Sequence, residues 1–116
     1  MLSQPHGGRP LRIDTRQEQG AVILTVAGPL DLDTIAPFDA TLRRLAQDGA
    51  GPVVIDLSDA SFADSTTVNA LLQAHDALGP ALRLAAPSAV LERLFTLTGL
   101  DTVLPLYGSV RAALDA

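Results

Sequence analysis

Two short and nearly continuous apolar runs constrain this chain most: residues 21–27, Ala-Val-Ile-Leu-Thr-Val-Ala, and residues 53–57, Val-Val-Ile-Asp-Leu. Both are short for a helix, and neither alternates enough to leave one face in water, so each reads as a strand covered on both sides. Between them Ile35, Phe38, Leu42 and Leu45 recur at helical spacing and form one apolar stripe. Asp33 or Thr34 is placed to cap that helix, and Pro37 is tolerable because it falls in the first turn. Strand, helix, strand is the parallel crossover of an α/β fold.

The same signals give the other elements. Leu11 and Ile13 open an alternating segment that turns polar through Gln17, Glu18 and Gln19 and reverses at Gly20, which predicts an antiparallel strand pair. Gly28 and Pro29 are expected to end the second strand, and residues 58–63 to form a connecting loop. A second helix is expected over about residues 66–78, with Val68, Leu71, Leu72 and His75 on its inner face. After Gly79-Pro80, Leu82, Leu84 and Ala86 alternate as a fourth strand. Pro87-Ser88 opens a third helix with Leu91, Leu94 and Phe95 inward, stopped by Gly99. Residues 103–107 make a weak fifth strand because Pro105 lacks a donor, and Ser109 caps a short last helix carrying Val110, Ala113 and Leu114. The expectation is one α/β domain over residues 11–116, a mixed sheet of four to five strands packed with about four helices, behind a flexible leader at residues 1–10.

Composition removes several functions. A chain of 116 residues, 47% hydrophobic and 18% charged, has apolar material for one core. Its net charge of −5 and its lack of lysine leave no basic stripe for nucleic acid. No cysteine is present for disulfides, thiolate chemistry or Cys-ligated metals, and two histidines, His6 and His75, are too few for a multi-histidine metal site. No apolar run approaches the ~18–20 residues of a membrane helix, and the first ten residues lack the apolar stretch of a signal peptide. A cytoplasmic chain without membrane insertion is the expectation.

Catalytic readings fare poorly. Asp56 at the end of an apolar run invites comparison with a phosphoaccepting aspartate, but that chemistry needs a lysine and the chain has none. There is no G-x-x-x-x-G-K-[ST], no G-x-G-x-x-G and no G-x-S-x-G. His6 lies in the leader and His75 on a buried stripe, so neither serves as the base of a hydrolytic triad. The aspartates lack an apolar pocket that would raise one of them into an acid. No catalytic residue, cofactor or small-molecule ligand is expected.

What remains is Phe62-Ala63-Asp64-Ser65-Thr66-Thr67-Val68, three hydroxyls behind an aspartate where a loop becomes a helix. Helix capping by Asp64 or Ser65 explains one of these residues at about 1 kcal/mol. The alternative, functional reading is a phosphorylatable serine, since a helix N-terminus stabilises added phosphate through its free N–H groups and dipole.

At this point the sequence resembles the STAS domain of bacterial anti-sigma factor antagonists. The resemblance runs through Gly28-Pro29-Leu30-Asp31-Leu32, Val53-Val54-Ile55-Asp56-Leu57-Ser58, Phe62-Ala63-Asp64-Ser65-Thr66, Leu71-Leu72, and Leu94-Phe95-Thr96-Leu97-Thr98-Gly99-Leu100, about residues 11–115. It implies a STAS-like α/β fold and a regulatory binding protein that is not an enzyme. Such a protein binds an anti-sigma factor, often a serine kinase, frees a sigma factor, and is switched off by phosphorylation. By position the phosphorylated residue would be Ser65, with Thr66 second. The implied docking face comprises Asp31, Asp33, Ser61, Asp64, Ser65, Thr66 and Thr67. The family pattern Asp-Ser-[Ser/Thr]-Gly-Leu is altered here, with Thr67 for the glycine, Val68 for the leucine and Asn69 for the small residue that follows. The departure leaves two readings open, an antagonist with an altered partner or one that is no longer phosphorylated. A different role for the same fold is a structural subunit of a membrane transport complex, which needs no phosphorylation.

Overall fold

The computed structural model describes residues 10–49 and 51–116. The leader expected at residues 1–10 lies outside them apart from Pro10, as does His6. In chain order the elements are β1 (Arg12–Glu18), β2 (Ala21–Leu30), α1 (Ile35–Asp48), β3 (Val53–Ala63), α2 (Ser65–Leu78), β4 (Leu82–Ala85), α3 (Ala89–Thr98), β5 (Leu106–Tyr107) and α4 (Val110–Leu114). Single 3-10 turns follow α2 and α3.

The five strands lie in the sheet in their sequence order, β1 antiparallel to β2 and the other neighbours parallel. Each crossover from β2 onward therefore steps the same way across the sheet. Right-handed crossovers that all step one way must place their helices on one face. That face carries the main core: Leu24, Ile55, Leu57 and Leu84 from the sheet pack with Phe38 and Leu42 of α1, Leu71 of α2, and Leu91 and Phe95 of α3. On the other face α4 covers Ile23, Val54 and Ala85 with Ala113.

The first hairpin turns on Gln19 and Gly20, both at positive φ, between the paired Glu18 and Ala21. A two-residue turn of that handedness matches the twist of the strands it joins.

Two sequence expectations about strand ends are corrected. β3 continues through residues 58–63, and β2 continues through Pro29 to Leu30. β3 carries extra residues relative to β2, between the pairs Thr25–Asp56 and Ala27–Asp59 and again between Gly28–Ala60 and Pro29–Phe62. Each bulge adds a residue, so the inward positions become Leu57, Ala60 and Ala63, spaced by three where a regular strand has two. That spacing resembles a loop to any reading based on alternation. Asp56 braces the first bulge by accepting hydrogen bonds from the Ser58 amide (3.1 Å) and hydroxyl (2.8 Å). Pro29 is tolerated because the paired part of β1 reaches only Ala27, which leaves β2 locally at an edge.

Two smaller corrections concern α2 and β5. Leu72 is exposed, and the inner face of α2 is centred on Thr67, Leu71 and Ala74. The fifth strand is reduced to Leu106–Tyr107, with Val103 outside it.

Gly28 sits where β2 bends, at a φ of 109°, and an added Cβ would lie 3.0 Å from the Pro10 carbonyl oxygen. Gly28→Ala combines backbone strain with a backbone clash and is expected to cost about 1–3 kcal/mol. Urea unfolding of the two proteins checks this; equal midpoints would mean that the bend relaxes freely.

Candidate functional site

The carboxyl ends of β2 and β3 and the start of α2 meet at one end of the sheet. Each contributes one segment to a shared surface.

The first segment, residues 31–34, is built by its own side chains. Asp31 is 7% exposed, and its Oδ1 accepts from the Asp33 amide at 2.9 Å. The Thr34 hydroxyl donates to the Pro29 carbonyl at 2.8 Å and accepts from the Asp31 amide at 2.9 Å. These bonds satisfy donors ahead of α1 that no helical partner serves. They also fix the outward residues: Leu32 is 75% exposed, and Asp33 is exposed beside it.

The second segment is the end of β3. Ser61 and Phe62 are exposed, and Ala63 turns inward opposite Leu30. Phe62 is a large apolar residue that stays 40% exposed.

The third is the first turn of α2. Asp64 has extended backbone and is the N-cap, its Oδ1 accepting from the Thr66 amide at 3.0 Å. Its carbonyl accepts from the Thr67 amide, also at 3.0 Å. Of the two capping candidates, Asp64 and Ser65, the cap is Asp64, and the next three hydroxyls fall in different environments because helical residues step by about 100°. Ser65 is exposed, and its hydroxyl has no hydrogen-bond partner among the described residues. Thr66 is half-buried. Thr67 is fully buried, and its hydroxyl donates to the Leu30 carbonyl at 2.6 Å.

Thr67 is therefore an internal tie. Its side chain offers no surface to a partner, contrary to the expectation for this residue. Asp31 is likewise turned to its own loop, and it shapes the surface more than it contributes to it. Asp33, Ser61, Ser65 and the edge of Thr66 are brought to the outside at this end. The residues that sequence reasoning passed over are Leu32 and Phe62; Thr34, one of two candidate caps of α1, is its N-cap residue but makes no side-chain cap bond. The available signal for the first two was a large apolar residue set among polar ones in a presumed loop.

Comparison with known proteins agrees with this fold. The family model for the STAS domain matches residues 12–113. The chain is 26% identical over 106 residues to the anti-sigma-F factor antagonist RsfB of Mycobacterium tuberculosis, covering 90% of this chain and 87% of that protein. It is 28% identical over 97 residues to the anti-sigma-B factor antagonist of Staphylococcus aureus, covering 81% and 90%. A crystal structure of an anti-sigma factor antagonist from Mycobacterium paratuberculosis superposes with a TM-score of 0.87 at 27% identity, covering 98% and 97%.

Two substitutions test the architecture. Thr67→Val keeps the shape and removes a donor to the buried Leu30 carbonyl, at an expected cost of about 1–3 kcal/mol. Asp64→Ala removes the cap at about 0.5–2 kcal/mol. Chemical denaturation measures both, and a Thr67→Val protein as stable as wild type would show that the Leu30 carbonyl finds another donor.

Proposed function

The chain belongs to the STAS domain family, and on that premise we propose that it is an anti-sigma factor antagonist switched at Ser65. In this reading the surface around Ser65 binds an anti-sigma factor that is itself a serine kinase, and so frees a sigma factor. Phosphorylation of Ser65 ends that binding. The protein acts by occupancy and catalyses nothing.

The observation that carries the reading is the exposed Ser65 hydroxyl at the first position of α2, without a hydrogen bond among the described residues, at the same end of the sheet as the exposed Leu32 and Phe62. An exposed hydroxyl admits a kinase, and exposed apolar side chains favour a protein partner. Ser65 is the better acceptor than Thr66, which is half-buried.

The effect of phosphate follows from charge. It adds about −1.5 to −2 beside Asp64. The first turn of α2 holds no acidic residue beyond its Asp64 cap, so the remaining free amides at the positive end of the helix can receive the anion with little loss of fold. A partner surface shaped for a neutral serine must instead desolvate or repel that charge. Binding is lost and folding is kept, as a reversible switch requires.

The Ser65→Asp protein is expected to unfold within about 1 kcal/mol of wild type. Wild type and Ser65→Asp used as paired baits in a lysate of the source organism test the rest, with captured proteins identified by mass spectrometry. Retention of a kinase-fold anti-sigma factor by wild type and its loss from Ser65→Asp is the expected result. Equal retention of that protein by both baits sinks the switch. Equal retention of transporter or ATPase subunits would instead make the domain a structural subunit of a membrane transport complex.

A further inference from the structure

The lateral edge of the sheet carries a pattern that the Ser65 surface does not use. Among the described residues β1 has a strand neighbour, β2, on one side only. Its sequence is Arg-Ile-Asp-Thr-Arg-Gln-Glu. Ile13 packs toward the main core beneath the helices, so strand alternation sends Arg12, Asp14, Arg16 and Glu18 together to the other face. The first three are exposed and Glu18 is half-buried.

An open edge of this length templates pairing with another chain unless a proline, a bulge or like charge blocks it. β1 has no proline, and it pairs with β2 through seven successive residues without a register break. Its charges alternate in sign and so do not repel a second strand as a single-sign edge would.

The order of those charges is its own complement. Place two copies antiparallel about Thr15, and Arg12 faces Glu18 of the second copy while Asp14 faces its Arg16. Ile13 then faces Gln17, and Thr15 faces Thr15. Opposite charges directly across a strand pair stabilise it, and like charges destabilise it. A slip by two residues in one direction opposes Arg12 to Arg16 and Asp14 to Asp14. A slip in the other opposes Asp14 to Glu18 and Arg16 to Arg16. A parallel, in-register pair opposes every charge to itself. Of these four arrangements, only the one centred on Thr15 opposes unlike charges at every charged position of β1, two of which, Arg16 and Glu18, also pair within the strand at 3.5 Å.

We propose that β1 is a homodimerisation edge, pairing antiparallel with β1 of a second copy in the register centred on Thr15. The result is a continuous ten-stranded sheet, twice the five strands of one chain. Its two-fold axis is perpendicular to the sheet, so the two Ser65 ends point in opposite directions along the strands. Both stay open to partners.

Sedimentation equilibrium of the full chain tests the pairing, with Asp14→Arg, Arg16→Asp and the double exchange Asp14→Arg/Arg16→Asp. Wild type is expected to dimerise with rising concentration and to dissociate with added salt. Each single reversal sets like charges opposite one another twice in the dimer and is expected to raise the dimer Kd about tenfold or more. The double exchange restores every opposed pair and returns the Kd to near the wild-type value. Wild type that stays monomeric at millimolar concentration overturns the proposal. So does a dimer that either single reversal leaves intact, or one that the double exchange does not recover.

Discussion

The surface around Ser65 depends on one buried hydrogen bond, from the Thr67 hydroxyl to the Leu30 carbonyl. Leu30 ends β2, and Thr67 lies in the first turn of α2, 37 residues later. A backbone carbonyl buried at the end of a strand must find a donor or carry the cost of leaving water. A side chain from another element meets that need here. The bond fixes the end of one strand against the start of the helix that leaves its neighbour. The loop after β2 and the first turn of α2 thereby become parts of a single surface.

Within that surface, holding and display fall to different residues. Asp31 and Thr34 spend their polar atoms on the loop itself, which leaves Leu32 and Asp33 outside. Asp64 spends a carboxylate oxygen on the Thr66 amide, and among the described residues the neighbouring Ser65 hydroxyl makes no hydrogen bond. This separation suits the proposed switch. Charge added at Ser65 disturbs no hydrogen bond that the fold uses, so its effect falls on whatever approaches from outside.

Much of the architecture was legible because parallel strands buried on both faces are read from apolar runs, and crossover helices from their stripes. The order of elements, the antiparallel opening pair and the Asp64 cap all follow from such local signals. Each misreading has its own physical cause. Bulges in β3 changed the inward period from two to three, so Leu57, Ala60 and Ala63 lost the alternation by which a strand is recognised. On α2, Thr67 counts as polar in any hydropathy pattern, yet it lies at the centre of the buried face. Treating it as an outer residue moved the stripe one position late and drew Leu72 inward. Its acceptor, 37 residues away, is invisible to local pattern.

The same tie changes the meaning of the altered motif. Of the three departures from the family pattern, Thr67 and Val68 are buried and Asn69 is exposed. Threonine in place of glycine adds a donor that glycine lacks, and it directs the added side chain into the protein. Valine in place of leucine is a change of volume in the core. Neither alters the outline that a partner or kinase would meet at Ser65. The substitutions most conspicuous in the sequence thus concern packing. Only Asn69, one helical turn beyond Ser65, changes the chemistry of the outer surface, and any shift in partner preference that arises from the motif has to act there.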